Sequence, residues 1–146
     1  MRKNILILMA LIAMVCFAGS GLIAADPIIG EWKTISDKTG KMSSVVKIYE
    51  SNGKYYGRII ELTEDPDSKC TACTGKRKDK PIKGMVFLWG LEKDGKEYED
   101  GKILDPENGK IYYCNCELVA GGKKLEVRGS LDKWGLAGRT QTWIRK

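Results

Sequence analysis

The 146-residue chain contains no histidine. That absence removes Ser-His-Asp and Cys-His nucleophilic sites, histidine metal centres and the HExxH zinc-protease helix. Any catalysis would have to run on carboxylates, lysines, tyrosines or cysteines, and the sequence nominates no catalytic residue among them. A long apolar run is missing as well. Residues 5–18 form a run of 14 residues, short of the roughly 20 that a spanning helix needs. Residues 26–146 therefore read as having no transmembrane segment. They also show no apolar face at helical spacing, no internal repeat and no linker.

What is present starts at the amino end. Arg2 and Lys3 precede the apolar run, and Gly19, Ser20 and Gly21 interrupt it before Ile23, Ala24 and Ala25. That order is a secretory signal peptide over residues 1–25, with the mature chain beginning at Asp26. Cys16 is not read as a lipidation site, because Val15 stands where a small residue is wanted. The expected location is outside the inner membrane, periplasmic or fully secreted. Residues 26–146 have the length of one domain. Without Arg2 and Lys3, the 25 basic residues fall to 23 against 19 acidic ones. This mild basicity favours anionic surfaces without singling out nucleic acid, and no nucleic-acid partner is expected. The densest basic run, Lys76, Arg77, Lys78 and Lys80, reads as a solvated loop.

Short β-rich segments alternate with turn residues throughout 26–146. Strands are expected over 31–36, 44–50, 54–62, 85–93, 111–119, 124–130 and 138–145, with shorter pieces at 96–99 and 102–104. Asn52-Gly53 is the strongest hairpin signal, because both central positions tolerate positive φ. Asp94-Gly95, Asp105-Pro106-Glu107-Asn108-Gly109 and Gly121-Gly122 mark further turns. Residues 132–137 have room for one helical turn. The long polar loop 63–83 needs an ordering device. About eight antiparallel strands joined by near-neighbour turns point to an all-β fold: a single antiparallel barrel that closes on itself and removes its edges. Such a barrel has room for packed side chains or one small ligand.

Several motifs occur in order: Gly30-Glu31-Trp32-Lys33-Thr34, Val46-Lys47-Ile48-Tyr49, Asn52-Gly53-Lys54-Tyr55-Tyr56-Gly57, the segment from Gly101 to Lys110, Val127-Arg128-Gly129, and Gly138-Arg139-Thr140-Gln141-Thr142-Trp143. Together they resemble the exported bacterial "domain of unknown function 2147" family across 26–146. The resemblance implies a small exported domain and brings no catalytic residues. A looser resemblance is to the lipocalin, or calycin, barrels. Gly30 and Trp32 open the first strand and Arg145 ends the last. The resemblance implies that Arg145 lies over Trp32 and closes one barrel end, a structural role.

Residues 26–146 hold four cysteines, Cys70 and Cys73 in the long loop and Cys114 and Cys116 in a strand. An even number in an exported chain suggests disulfides. Cys114 and Cys116 share a strand face with Tyr112 and Leu118, the expected core side. A bond between those two is disfavoured, since Cα atoms two apart in a strand are about 6.5–7 Å apart, at the long end of disulfide geometry. Bonds from the strand pair to the loop pair are the first expectation. The same sulfurs could instead bind zinc or iron, or Cys70 and Cys73 could act in redox chemistry. Asp105, Glu107 and Asn108 read as turn residues before calcium ligands.

The function expected is non-catalytic: an envelope protein whose barrel binds a small, partly apolar ligand, with no cofactor. A four-cysteine metal or thiol-redox module is one alternative. A structural protein with a filled barrel, working through its surface, is another. The sequence names neither ligand-binding residues nor an oligomeric state.

Overall fold

A computed structural model describes residue 21 and residues 24–146. Residues 1–20, 22 and 23, which carry most of the expected signal peptide and Cys16, lie outside the described residues. Eight strands follow one another: β1 (Gly30–Ile35), β2 (Met42–Ser51), β3 (Lys54–Leu62), β4 (Val86–Asp94), β5 (Glu97–Leu104), β6 (Ile111–Val119), β7 (Lys124–Ser130) and β8 (Gly138–Arg145). Each pairs antiparallel with its sequence neighbour, and β8 returns to β1, closing an up-and-down barrel. The expected all-β barrel is the observed fold.

Local chemistry explains the hairpins. Asn52 and Gly53 take φ of 52° and 77°, the two positive values that match the twist of β2 and β3. The two short pieces expected around residue 100 are one strand, β5. A register irregularity between Tyr98 and Gly101 accommodates Asp100 at φ 59°, and a bulge of this kind breaks the alternation that the sequence displays. Residues 132–137 form no helical turn. The Asp132 carboxylate accepts the Leu136 N–H at 2.9 Å and the Ala137 N–H at 2.6 Å, so a side chain replaces the helical backbone pairing.

The strands alternate as half-buried strands do. Trp32, Ile48, Leu91, Tyr98 and Leu125 point inward and are fully buried. These residues fill one end of the barrel, where the chain segment before β1 also packs. That segment places Ile28 at 0% exposure, and the Trp32 Nε1–H donates to the Ile28 carbonyl at 2.9 Å. At the same end, Asp26 accepts hydrogen bonds from Tyr98 Oη and from Lys93 Nζ, the latter at 2.6 Å.

The closure between β1 and β8 is short. Trp32 with Arg145 and Lys33 with Ile144 are paired across it, and the Lys146 N–H donates to the Glu31 carbonyl at 2.9 Å just beyond. β7 and β8, by contrast, pair from Lys124 with Ile144 to Ser130 with Gly138. Beyond Thr34, towards the other end of the barrel, the seam is held by side chains. Asp37 accepts from Gln141 Nε2 at 3.0 Å and pairs with Arg139 Nη1 at 3.0 Å.

Candidate functional site

The two barrel ends differ. At the filled end, the Arg145 guanidinium lies 4.1 Å from the centroid of the Trp32 ring. Its Nε–H donates to the Gly122 carbonyl at 2.8 Å, and its terminal nitrogens donate to Ile29 and Pro27 carbonyls. Gly30 fits this arrangement closely, since a Cβ there would sit 3.1 Å from Arg145 Nη1. The structure thus brings Gly30, Trp32 and Arg145 together in one plug, away from the cavity.

The other end is open. A cavity of about 710 Å³ enters the barrel there, between the loops that follow β1, β3, β5 and β7. Ile59, Leu62, Phe87, Ile103, Val127 and Trp143 form its apolar wall and floor. The Phe87 and Trp143 rings stack at 6.0 Å between centroids. One patch of wall is polar: Thr34 Oγ1 lies 2.8 Å from Ser43 Oγ and 2.7 Å from Ser44 Oγ. These hydroxyls satisfy one another, and their rotors are free to turn towards a bound polar group. Deeper in, Trp143 Nε1 reaches Gln141 Oε1 at 3.4 Å.

Among the described residues that line the cavity, charge sits at the rim. Lys38 and Glu107 pair at 2.7 Å and link the β1–β2 loop to the β5–β6 turn. The Glu107 hydrogen bond and charge raise the Lys38 pKa above its ordinary value. The Asp105 carboxylate is engaged by its own turn, accepting from Glu107 N–H at 2.9 Å and Asn108 Nδ2 at 3.1 Å. Asp105, Glu107 and Asn108 therefore form a braced turn with an outward ion pair. Among the described residues, no three His, Cys, Asp or Glu side chains converge as metal ligands.

The cysteines pair differently from the expectation. Cys70 bonds to Cys73, while Cys114 and Cys116 are free thiols with their sulfurs 3.9 Å apart. The expected bonds between loop and strand pairs do not form. The loop turns tightly enough to bring its own Cα atoms to 5.3 Å, within disulfide range. With two sulfurs spent in that bond, a four-sulfur zinc or iron set is not assembled. The strand pair does face the core, as strand alternation requires, and both thiols are buried. The neighbouring Cys114 sulfur and burial both push the Cys116 thiol well above its ordinary pKa. A thiol held neutral in this way is a poor nucleophile. The long loop is ordered chiefly by backbone bonds, including Cys70 N–H to Lys80 O at 2.8 Å and Ile82 N–H to Ser68 O at 3.0 Å.

The cavity residues were not nominated from sequence. A signal did exist: Thr34 and Ser44 interrupt inward series that otherwise read Trp32 and Val46, Ile48, and Gln141 does so beside Trp143. A polar residue on an inward face marks a place where the core is wet or incomplete.

A family model described as an uncharacterised protein conserved in bacteria, DUF2147, matches residues 30–145. The chain belongs to the DUF2147 family. The match spans all eight strands of this DUF2147 barrel, from the first residue of β1 to the last of β8. Among solved structures, it is similar to protein HP1028 from the human pathogen Helicobacter pylori, which is described as belonging to the lipocalin family. The identity is 33% and the TM-score 0.72, covering 81% of this chain and 82% of that one. No curated protein matches this DUF2147 chain.

Proposed function

We propose that this protein is exported to the cell envelope and binds a small amphipathic molecule in its barrel, without catalysing a reaction on it. The observation that carries this reading is the one-ended cavity, with apolar walls and a single hydroxyl cluster. Concave, mostly apolar sites with a few placed polar groups are the usual form of small-molecule sites. The lipocalin-like relative supports the reading at the level of fold, which alone does not fix function. The sequence of residues 1–25 supports export, and the Cys70–Cys73 bond suits an oxidising compartment. A ligand would place its apolar body against Phe87 and Trp143 and one hydroxyl, carbonyl or acid group near Thr34 and Ser44.

The filled-barrel reading is disfavoured by the same observation, because only the Trp32 end is packed solid. The test combines native mass spectrometry of gently purified protein with titration by an apolar naphthylamine fluorophore. Saturable uptake near one probe per chain is expected. Gly129 lines the cavity, and a Cβ there meets only Ile103 and Tyr112, at 3.7 and 3.8 Å. Gly129→Leu should therefore fill the space and weaken uptake by about tenfold or more. No co-purified species and no saturable uptake would defeat the proposal.

A further inference from the structure

Large apolar side chains are distributed unequally over the surface. Among the described residues six stand well exposed, and of these Ile144 alone lies towards the filled end. Met42 and Ile111 begin strands at the open end. Leu131, Trp134 and Leu136 stand on the β7–β8 turn and are 72%, 80% and 82% exposed. Leu131 also lines the cavity mouth. The β6–β7 register, with Tyr113 opposite Ser130, brings Ile111 alongside the same turn.

The turn is not a loose segment. Asp132 accepts the Leu136 and Ala137 N–H groups, and Leu131 N–H donates to Ala137 O at 2.9 Å. Arg128 donates through Nε to Gly135 O at 2.6 Å and through Nη2 to Leu136 O at 3.4 Å. Ser130 Oγ donates to Asp132 O at 2.8 Å. Much of the backbone polarity of this turn is thereby spent inward, behind three outward apolar side chains.

We propose that the 131–137 turn docks the open end of the barrel onto an anionic lipid surface. Backbone groups carried past the headgroups towards the hydrocarbon must bring their partners with them, and this turn does so through Asp132 and Arg128. Tryptophan prefers the interface, where its ring is buried and its N–H stays wet. Lys133 lies beside Trp134, and the segments at this end (36–41, 63–85, 105–110 and 131–139) hold eleven basic residues against eight acidic ones. Apolar anchors with a basic surround bind anionic lipid by burial and charge together. The docked orientation presents the cavity mouth to the lipid. The docking itself does not depend on the cavity being occupied.

The test uses the chain from Asp26, which carries all eight strands, in flotation with vesicles of phosphatidylethanolamine and phosphatidylglycerol, against phosphatidylcholine alone. Flotation with the anionic vesicles and a blue shift of tryptophan emission are expected. The double variant Trp134→Ser/Leu136→Ser should lose about tenfold or more in partitioning while retaining the near-ultraviolet circular dichroism of the barrel. Lys133→Glu should weaken binding to the anionic vesicles only. Absence of flotation, or equal flotation of the double variant, overturns the proposal. So does concentration-dependent dimerisation that the double variant abolishes without any vesicle binding, which would assign the surface to a second copy of the chain. Fluorophore uptake in the absence of vesicles reports the cavity separately, so either reading can fail without the other.

Discussion

Gly109 lies against Ala72 so closely that a Cβ on Gly109 would come within 2.0 Å of the Ala72 carbonyl oxygen. This contact seats the disulfide-bonded loop on the β5–β6 turn at the cavity mouth. Gly109 also has φ 70°, a conformation that side chains other than glycine adopt at a cost. Gly109→Ala should therefore destabilise the fold by about 2–4 kcal/mol. Gly95, at φ 61° with open space around it, provides the control: Gly95→Ala should cost only about 1 kcal/mol. Chemical denaturation measures both, and limited proteolysis within 63–85 should rise for the Gly109 variant alone.

Arg145 closes the filled end by stacking and by three carbonyl bonds. Arg145→Ala should cost about 2–4 kcal/mol. Arg145→Lys should recover little of it, because an ammonium offers neither the planar face nor the fork of donors. Thermal melts of the three proteins decide this, and full recovery by lysine would contradict the geometry.

Asp26 sets a pH dependence. Burial raises its carboxyl pKa, but bonds from Lys93, Tyr98 and the Ile28 N–H outweigh burial and hold it below the ordinary 3.8. A carboxyl lowered in the folded state contributes fully above its unfolded pKa and loses that contribution as pH falls through the folded value. Asp26→Asn should cost about 1–3 kcal/mol at neutral pH. The gap should shrink as pH falls below the ordinary 3.8 and through the lowered folded value. Melts across this range measure it, and a constant gap would show that charge is not the cause. The same carboxylate and burial push the Tyr55 hydroxyl up to about 12, burial being the larger influence.

The two cysteine pairs should behave oppositely. Cys70–Cys73 closes a very short loop, so replacing both by serine should cost only about 2 kcal/mol in the chain-entropy model. Cys114 and Cys116 should resist iodoacetamide in the native state and react once the chain is unfolded. Intact mass before and after denaturation reads both: two masked thiols throughout, two exposed only on unfolding.

The strands were legible because their signals are local. Asn52-Gly53 dictates its turn whatever surrounds it, and Leu125 and Val127 alternate with Lys124, Glu126 and Arg128 in plain view. The sulfur pairing was not legible, because it depends on how sharply residues 70–73 bend, and several backbone bonds to residues 79–82 settle that. The cavity was hidden for a similar reason. Whether inward residues such as Ile59 and Val127 meet in the middle depends on strand stagger across the barrel, which no single strand displays. Asp132 belongs to the same class: its carboxylate holds the Leu136 and Ala137 N–H groups in a turn that Arg128, from the preceding strand, also braces.

The short β1–β8 seam has a mechanical consequence. Two residue pairs and the Lys146 N–H bond to the Glu31 carbonyl fasten it near the plug, and towards the mouth, among the described residues, Asp37, Arg139 and Gln141 lace it. Along this line the barrel is joined by backbone at its base and by side chains at its lip. Exposed ion pairs and side-chain bonds exchange readily with water, so the lip can spread without breaking a strand ladder. A guest bound as proposed would meet side-chain bonds, not a strand ladder, along this stretch of the lip.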